Sequence, residues 1–119
     1  MDAKQLGVYG ELAAARYLRK HGYVILEPNF RSRFGEIDLV AQMGDTVVFV
    51  EVKTRDAAAQ IRPMEAVTPS KQQKIKKTSL LYLATLDKEV NVRYDVVEVL
   101  VSVRGIRRVK IHHIPNAFS

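Results

Sequence analysis

Three carboxylates and one ammonium crowd a single short stretch of this chain. Glu36 and Asp38 precede a Gly44-Asp45 pair, and Glu51 and Lys53 follow it. β-Branched, apolar-rich runs flank that pair, and a Gly-X dipeptide suits the two-residue type II′ loop of a hairpin. With Gly44 and Asp45 as the loop, Met43 faces Thr46, Val40 faces Phe49, Asp38 faces Glu51 and Glu36 faces Lys53. Like charges directly opposite one another disfavour a strand pair, so Asp38 against Glu51 calls for a cation between them. Carboxylate oxygens select hard cations, Mg²⁺ or Mn²⁺. A Mg²⁺ held in this way activates water and stabilises a phosphoryl transition state. Lys53 shares a strand face with Glu51. It is placed to position or deprotonate the attacking water, or to stabilise charge on the phosphate.

The other elements have to build a place for that chemistry. Strand alternation puts Ile37, Leu39, Ala41 and Met43 on one face of the hairpin with Thr46, Val48, Val50 and Val52, an apolar face expected to meet a core. The opposite face is apolar toward the loop and charged at its open end. A helix is predicted from about Lys4 to Lys20, with Gly22 as its stop. On it Glu11 shares a face with Gly7, Ala14, Ala15 and Leu18, while Tyr9, Arg16 and Lys20 lie opposite. A carboxylate on a small apolar stripe is unfavourable unless it is paired, solvated at the edge or bound to a metal. If this helix covers the charged end of the hairpin, Glu11 joins Asp38 and Glu51.

A first strand is expected over Tyr23–Glu27, ended or kinked by Pro28-Asn29. In the extended lead-in that follows, Arg31 and Arg33 share a face, which suits phosphate contacts or a solvated edge. The segment from Asp56 to Val67 has no period and reads as a loop. Thr68-Pro69 opens a second helix, running to about Leu86, with a core stripe of Ile75, Ser79, Tyr82, Leu83 and Leu86. Lys71 and Lys74 lie in its first half, Lys71 in the first turn, where a helix N-terminus favours anions. A long strand follows over Val90–Val103, then a turn at Arg104-Gly105 and a final strand over Ile106–Ile114. His112 and His113 are adjacent, point to opposite faces and are expected to be surface imidazoles rather than joint metal ligands.

Composition narrows the function classes. The 119 residues suit one domain, and 47% hydrophobic content supports a packed core rather than a disordered chain. The absence of cysteine excludes disulfides, thiolate metal sites and cysteine nucleophiles. No apolar run approaches a membrane span, and the N-terminus lacks the apolar core of a signal peptide, so a cytoplasmic protein is expected. A net charge of +6 favours polyanionic partners. No Gly-rich phosphate loop and no serine–histidine arrangement is present. The element order, helix, three strands, helix, strand and a further strand, predicts an α/β (α+β) sandwich with a mixed central sheet flanked by helices.

Asp38 followed by Glu51-Val52-Lys53 on the partner strand resembles the signature of the PD-(D/E)xK nuclease superfamily, with Ile37 where the superfamily name has proline. More narrowly, Gly10-Glu11, Asn29, Gly35-Glu36-Ile37-Asp38-Leu39, Val50-Glu51-Val52-Lys53, Lys71 and Arg93-Tyr94-Asp95-Val96-Val97 resemble the YraN family of small bacterial proteins. That family is described as endonuclease-like and similar to archaeal Holliday junction resolvases. The resemblance implies a restriction-endonuclease-like αβββαβ core and metal-dependent cleavage of DNA, including branched or structured DNA. It makes Asp38, Glu51 and Glu11 metal ligands, adds the Val52 carbonyl as a further one, and makes Lys53 the catalytic lysine. Arg31, Arg33, Arg55, Lys71 and Lys74 are the residues expected to hold the nucleic acid. A homodimer would suit symmetric cutting of two strands. A non-cleaving nucleic-acid-binding module that keeps the fold is the alternative.

Overall fold

The computed structural model describes residues 2–56, 67–102 and 108–119. The chain runs α1 (Ala3–Lys20), β1 (Val24–Ser32), β2 (Gly35–Met43), β3 (Thr46–Asp56), α2 (Pro69–Leu83), β4 (Asn91–Ser102) and β5 (Arg108–Phe118). The strands form one sheet in sequence order, β1-β2-β3-β4-β5. β3 and β4 are parallel, joined across α2, and every other neighbouring pair is antiparallel. This is the expected mixed sheet with the expected element order. Among the described residues, no helix is long and apolar enough to cross a membrane.

Several boundaries differ from expectation. β1 does not stop at Pro28 but continues to Ser32. Proline is tolerated there because β1 is an edge strand, and a register shift between Ile25 and Glu27 with a left-handed Asn29 (φ 53°) absorbs the irregularity. α2 ends at Leu83, while β5 starts at Arg108 and runs on to Phe118. The predicted loop after Asp56, the turn at Arg104-Gly105 and the expected strand ends at Val103 and Ile106 fall wholly or largely outside the described residues.

The central hairpin forms as predicted at its closed end. Gly44 has φ 60° and Asp45 keeps a negative φ, the type II′ pattern. Met43–Thr46, Val40–Phe49 and Leu39–Val50 pair in the predicted register, and the ladder ends there. The expected cross-strand pairs Asp38–Glu51 and Glu36–Lys53 are not formed. Asp38 instead accepts the backbone N–H of Val52 at 2.8 Å through Oδ2, so a carboxylate takes the place of a ladder carbonyl. Glu36 pairs back onto Arg31 of β1.

Both faces of the sheet are covered. On one, Ala14, Ala15 and Leu18 of α1 pack against Leu39, Ala41, Val48, Val50 and Val52, with Val97, Val99 and Val101 of β4. On the other, Ile75 and Tyr82 of α2 pack against Ile37, Val40, Val47 and Phe49. Ile37 was expected beside Leu39 but joins the α2 side, because the alternation slips at Asp38. Tyr9, expected to face away, is half-buried against the α1-side core.

The small-residue face of α1 makes its closest approach at Gly10, not Gly7. A Cβ on Gly10 would lie 1.7 Å from Thr54 Oγ1 and 2.7 Å from Thr54 Cβ, whereas one on Gly7 meets nothing within 4 Å. Gly10→Ala is therefore expected to destabilise the fold by about 1–3 kcal/mol through overpacking. Gly7→Ala should leave the melting temperature unchanged or raise it, since alanine gains up to about 1 kcal/mol of helix propensity. Thermal melts of the two variants side by side check this, and equal behaviour would argue against the close approach.

The sheet also encloses a polar network. Asp95 on β4 is fully buried. It accepts from Arg93 Nε and Nη2, each at 2.9 Å, and from the Asn116 N–H at 2.9 Å, with His113 Nε2 at 2.7 Å. Tyr23 Oη accepts from Arg93 at 2.7 Å, and Tyr17 Oη lies 3.4 Å from His113 Nδ1. The expectation of a surface imidazole thus fails at His113, whose side chain is only 10% exposed. The reason is the register of β5 on β4, with its shift between Tyr94 and Val96, which brings His113 to Asp95. His112, on the other face, stays exposed, 3.4 Å from Glu98 Oε2.

Candidate functional site

The site lies where the central hairpin opens. α1 packs its small-residue stripe on the apolar face of the hairpin and reaches the charged end with Glu11. Glu11 meets Asp38 there because β2 and β3 lose their pairing beyond Leu39–Val50 and Asp38 turns into the gap. Carboxylate oxygens of Glu11, Glu36 and Asp38 lie within 4.8 Å of one another. Asn29 joins this group. With its amide nitrogen directed at them, it donates to Glu11 Oε2 at 3.2 Å and Glu36 Oε1 at 2.8 Å. Its left-handed backbone is one that asparagine tolerates better than most residues.

Asp38 and Glu11 are held unfavourably as anions. Burial, then the neighbouring Glu51, pushes the Asp38 carboxyl up to about 8 despite the Val52 N–H, and Glu11 and Glu36 add to the rise. Burial raises Glu11 too, with Glu36 and Glu51 adding to it and Asn29 opposing. A cation among these oxygens would relieve that repulsion.

Glu51 is handled differently. It is 5% exposed, and its Oε1 lies 3.2 Å from Lys53 Nζ and 2.5 Å from Lys71 Nζ. Burial, together with the neighbouring Lys71, lowers the Lys53 ammonium below the ordinary lysine value, against the pull of Glu51. Lys71 moves the other way: burial opposes its charge, but contact with Glu51 outweighs it. Lys71 arrives from the first turn of α2, where the N-cap Thr68 Oγ1 accepts its backbone N–H at 3.2 Å. A cavity of about 380 Å³ opens here between the hairpin and the start of α2, lined by Glu36, Asp38, Glu51, Ser70, Lys71 and Lys74 among others.

Five of the expected residues therefore converge: Glu11, Asp38, Glu51, Lys53 and Lys71. Lys74 lines the same cavity, and Val52 takes part through its N–H. Arg31 lies within 3.5 Å of Glu36, while Arg33 lies in the β1–β2 turn against the Phe34 ring. Arg55 does not join them. It is half-buried, donates to the Thr54 carbonyl at 3.2 Å and lines no part of the cavity. The sequence reading left Glu36 and Asn29 out of this cluster. Glu36 had been assigned to Lys53 by hairpin register, and nothing local to Asn29 shows that its amide bridges two carboxylates from other elements.

The family described as "Uncharacterised protein family UPF0102" matches residues 10–99. A UPF0102 protein of Syntrophomonas wolfei is 48% identical over 116 residues, covering 97% of this chain and 98% of its own length. A UPF0102 protein of Caldanaerobacter subterraneus is 44% identical over 119 residues, covering 99% of this chain and 98% of its own. One from Syntrophus aciditrophicus is 51% identical over 114 residues, covering 94% and 87%.

Proposed function

The chain belongs to the UPF0102 (YraN) family, and from its clustered carboxylates beside a buried lysine we propose that it is a metal-dependent endonuclease hydrolysing DNA phosphodiester bonds. The observation that carries this reading is the meeting of Glu11, Glu36 and Asp38 within 4.8 Å, with Glu36, Asp38 and the Lys53-paired Glu51 lining one cavity. The donor set is all oxygen and fits Mg²⁺ or Mn²⁺. Asp38, Glu11, Glu36 and Glu51, with the Val52 carbonyl, are the groups that would hold the ion. When bound, it would polarise the phosphate and lower the pKa of a water.

The chain's own residues supply the rest. Lys71, Lys74 and the first-turn amides of α2 draw a phosphate into the cavity. Lys53, held by Glu51, orients or deprotonates the attacking water or balances charge on the phosphate. Arg31 and Arg33 hold the flanking backbone, which makes binding strongly salt-dependent.

The test is cleavage of labelled linear, nicked, flapped and four-way DNA with Mg²⁺ or Mn²⁺, comparing wild type with Glu51→Gln and Lys53→Met. Cutting by the wild type that both variants lose supports the enzyme. Binding with no cutting of any substrate favours a non-cleaving DNA-binding module. One observation favours that second reading: Glu51 already has two ammonium partners and needs no metal to be neutralised.

Metal ligation has its own signature. Asp38 and Glu11 are raised, so the folded protein retains protons that the unfolded chain releases near pH 4. By linkage, these groups make the metal-free fold lose stability as pH rises from about 4 to about 8. Mn²⁺ binds the ionised form, so the rise in melting temperature it produces is expected to be larger near pH 8 than near pH 5. A pH-independent shift, or none, would count against carboxylate ligation.

A further inference from the structure

The tip of the β1–β2 hairpin carries an aromatic ring that the fold does not use. Arg33 and Phe34 form the turn between Ser32 and Gly35. Phe34 belongs to neither core cluster, although Phe30 and Phe49 nearby both do. Its neighbours are cations: Arg33 Cζ lies 4.9 Å from the ring centroid and Lys77 Nζ lies 5.6 Å from it. The turn itself has no need of phenylalanine.

The tip is also fixed against α2. Ser32 Oγ accepts the Phe34 N–H at 3.0 Å and lies 2.9 Å from Thr78 Oγ1. Gly35 sits so close to Lys74 that a Cβ there would lie 3.4 Å from the Lys74 Cβ, and Gly35 and Lys74 both line the cavity of the carboxylates. A half-buried ring, its backbone N–H held by Ser32 and its ring beside Arg33 and Lys77, therefore stands next to Gly35, which lines the cavity. Aromatic faces flanked by cations are how proteins hold bases of unpaired strands: the ring stacks on the base while the cations take the phosphates on either side.

We propose that Phe34 is the stacking platform for an unpaired nucleobase next to the phosphate held in the cavity, so that the protein prefers DNA with a single-stranded segment beside the bound phosphate. This deepens the nuclease reading and rests on its choice of DNA, but not on cleavage. Lys77 gives up the ring face to the base and pairs with the adjacent phosphate. A fully paired duplex keeps its bases stacked inside and offers nothing to the ring.

Binding in metal-free buffer tests this independently of catalysis. The probes are a forked DNA and a blunt duplex of equal length, with 2-aminopurine placed in turn at each unpaired position next to the fork. Wild type is expected to bind the fork about tenfold more tightly than the duplex and to quench 2-aminopurine at one of these positions. Phe34→Ala should reduce that preference to about twofold or less, with duplex affinity unchanged, and Phe34→Trp should restore it along with the quenching. Equal loss on both DNAs, an unchanged preference or no binding to either DNA would overturn the proposal. A protein that shows the preference yet cuts nothing would refute cleavage alone, and one that cuts with no effect of Phe34→Ala would refute the platform alone.

Discussion

Lys53→Met is expected to slow Mg²⁺-dependent DNA cleavage by about 10²–10⁴-fold, the usual contribution of a positioned proton-transfer group, without weakening DNA binding. The side chain is 12% exposed and has one carboxylate partner, Glu51, at 3.2 Å. Methionine keeps the unbranched stem and most of the volume, and Glu51 keeps Lys71, so neither packing nor a buried charge is abandoned. Lys53→Arg separates the two roles open to the lysine. A guanidinium stays charged throughout and cannot act as a base, so partial activity in Lys53→Arg would assign Lys53 to charge stabilisation. Loss equal to that of methionine would assign it to proton transfer. Glu51→Gln should also abolish cutting but is a less clean probe, because it leaves two lysines without their carboxylate. Single-turnover rates with a prebound substrate, alongside binding measured without metal, provide the readout. Wild-type rates in Lys53→Met would remove this lysine from the mechanism.

The largest effect on stability is expected in the polar network around Asp95. Asp95→Ala should destabilise the protein by about 3–5 kcal/mol, because it strands Arg93, His113 and the Asn116 N–H around a vacated, fully buried position. For a chain of this size, that lowers the melting temperature by about 10 °C or more. Tyr17→Phe, which removes only a 3.4 Å contact at the edge of the same network, should lower it far less. The network also gives the acid limb its sign. Burial works against the Asp95 anion, but His113, Arg93 and the Asn116 N–H more than compensate and hold its carboxyl below the ordinary value. Its contribution is therefore complete above about pH 4 and is lost as pH falls through the lowered folded value. This is opposite in direction to the contributions of Asp38 and Glu11. A pH series of melts on wild type and Asp95→Asn checks it: the variant should be less stable throughout and lose less on acidification. Parallel curves would mean that Asp95 does not govern the acid limb.

The candidate site was partly legible in the chain because its chemistry is local. Glu51 and Lys53 are two residues apart on one strand, and a Gly-Asp loop sets their distance from Asp38, so alternation and loop length brought them together on paper. Glu11 was legible as a carboxylate on a small-residue helix face. Asn29 and Glu36 escaped because their roles depend on where the strand pairing stops. A register extrapolated from the loop had no way to show that Asp38 would break it by taking the Val52 N–H. His113 escaped for a related reason: adjacent histidines look alike in a strand, and only the partner strand distinguishes the one over Asp95 from the one in water.

The sequence by itself determined the element order, the turn at Gly44-Asp45, the caps at Gly22 and Thr68-Pro69, and the chemical character of the site, carboxylates beside a lysine in a basic chain. These follow from interactions within a few residues, where backbone conformation and side-chain period decide. Only the tertiary structure decided which face α1 covers, that Gly10 rather than Gly7 sets its approach, that Asp38 replaces a ladder carbonyl at the opening of the hairpin, and that Phe34 at the tip of β1–β2 stays outside both core clusters. Each of these depends on packing between elements far apart in the chain, and that packing is settled by steric fit and by competition for buried hydrogen-bond partners.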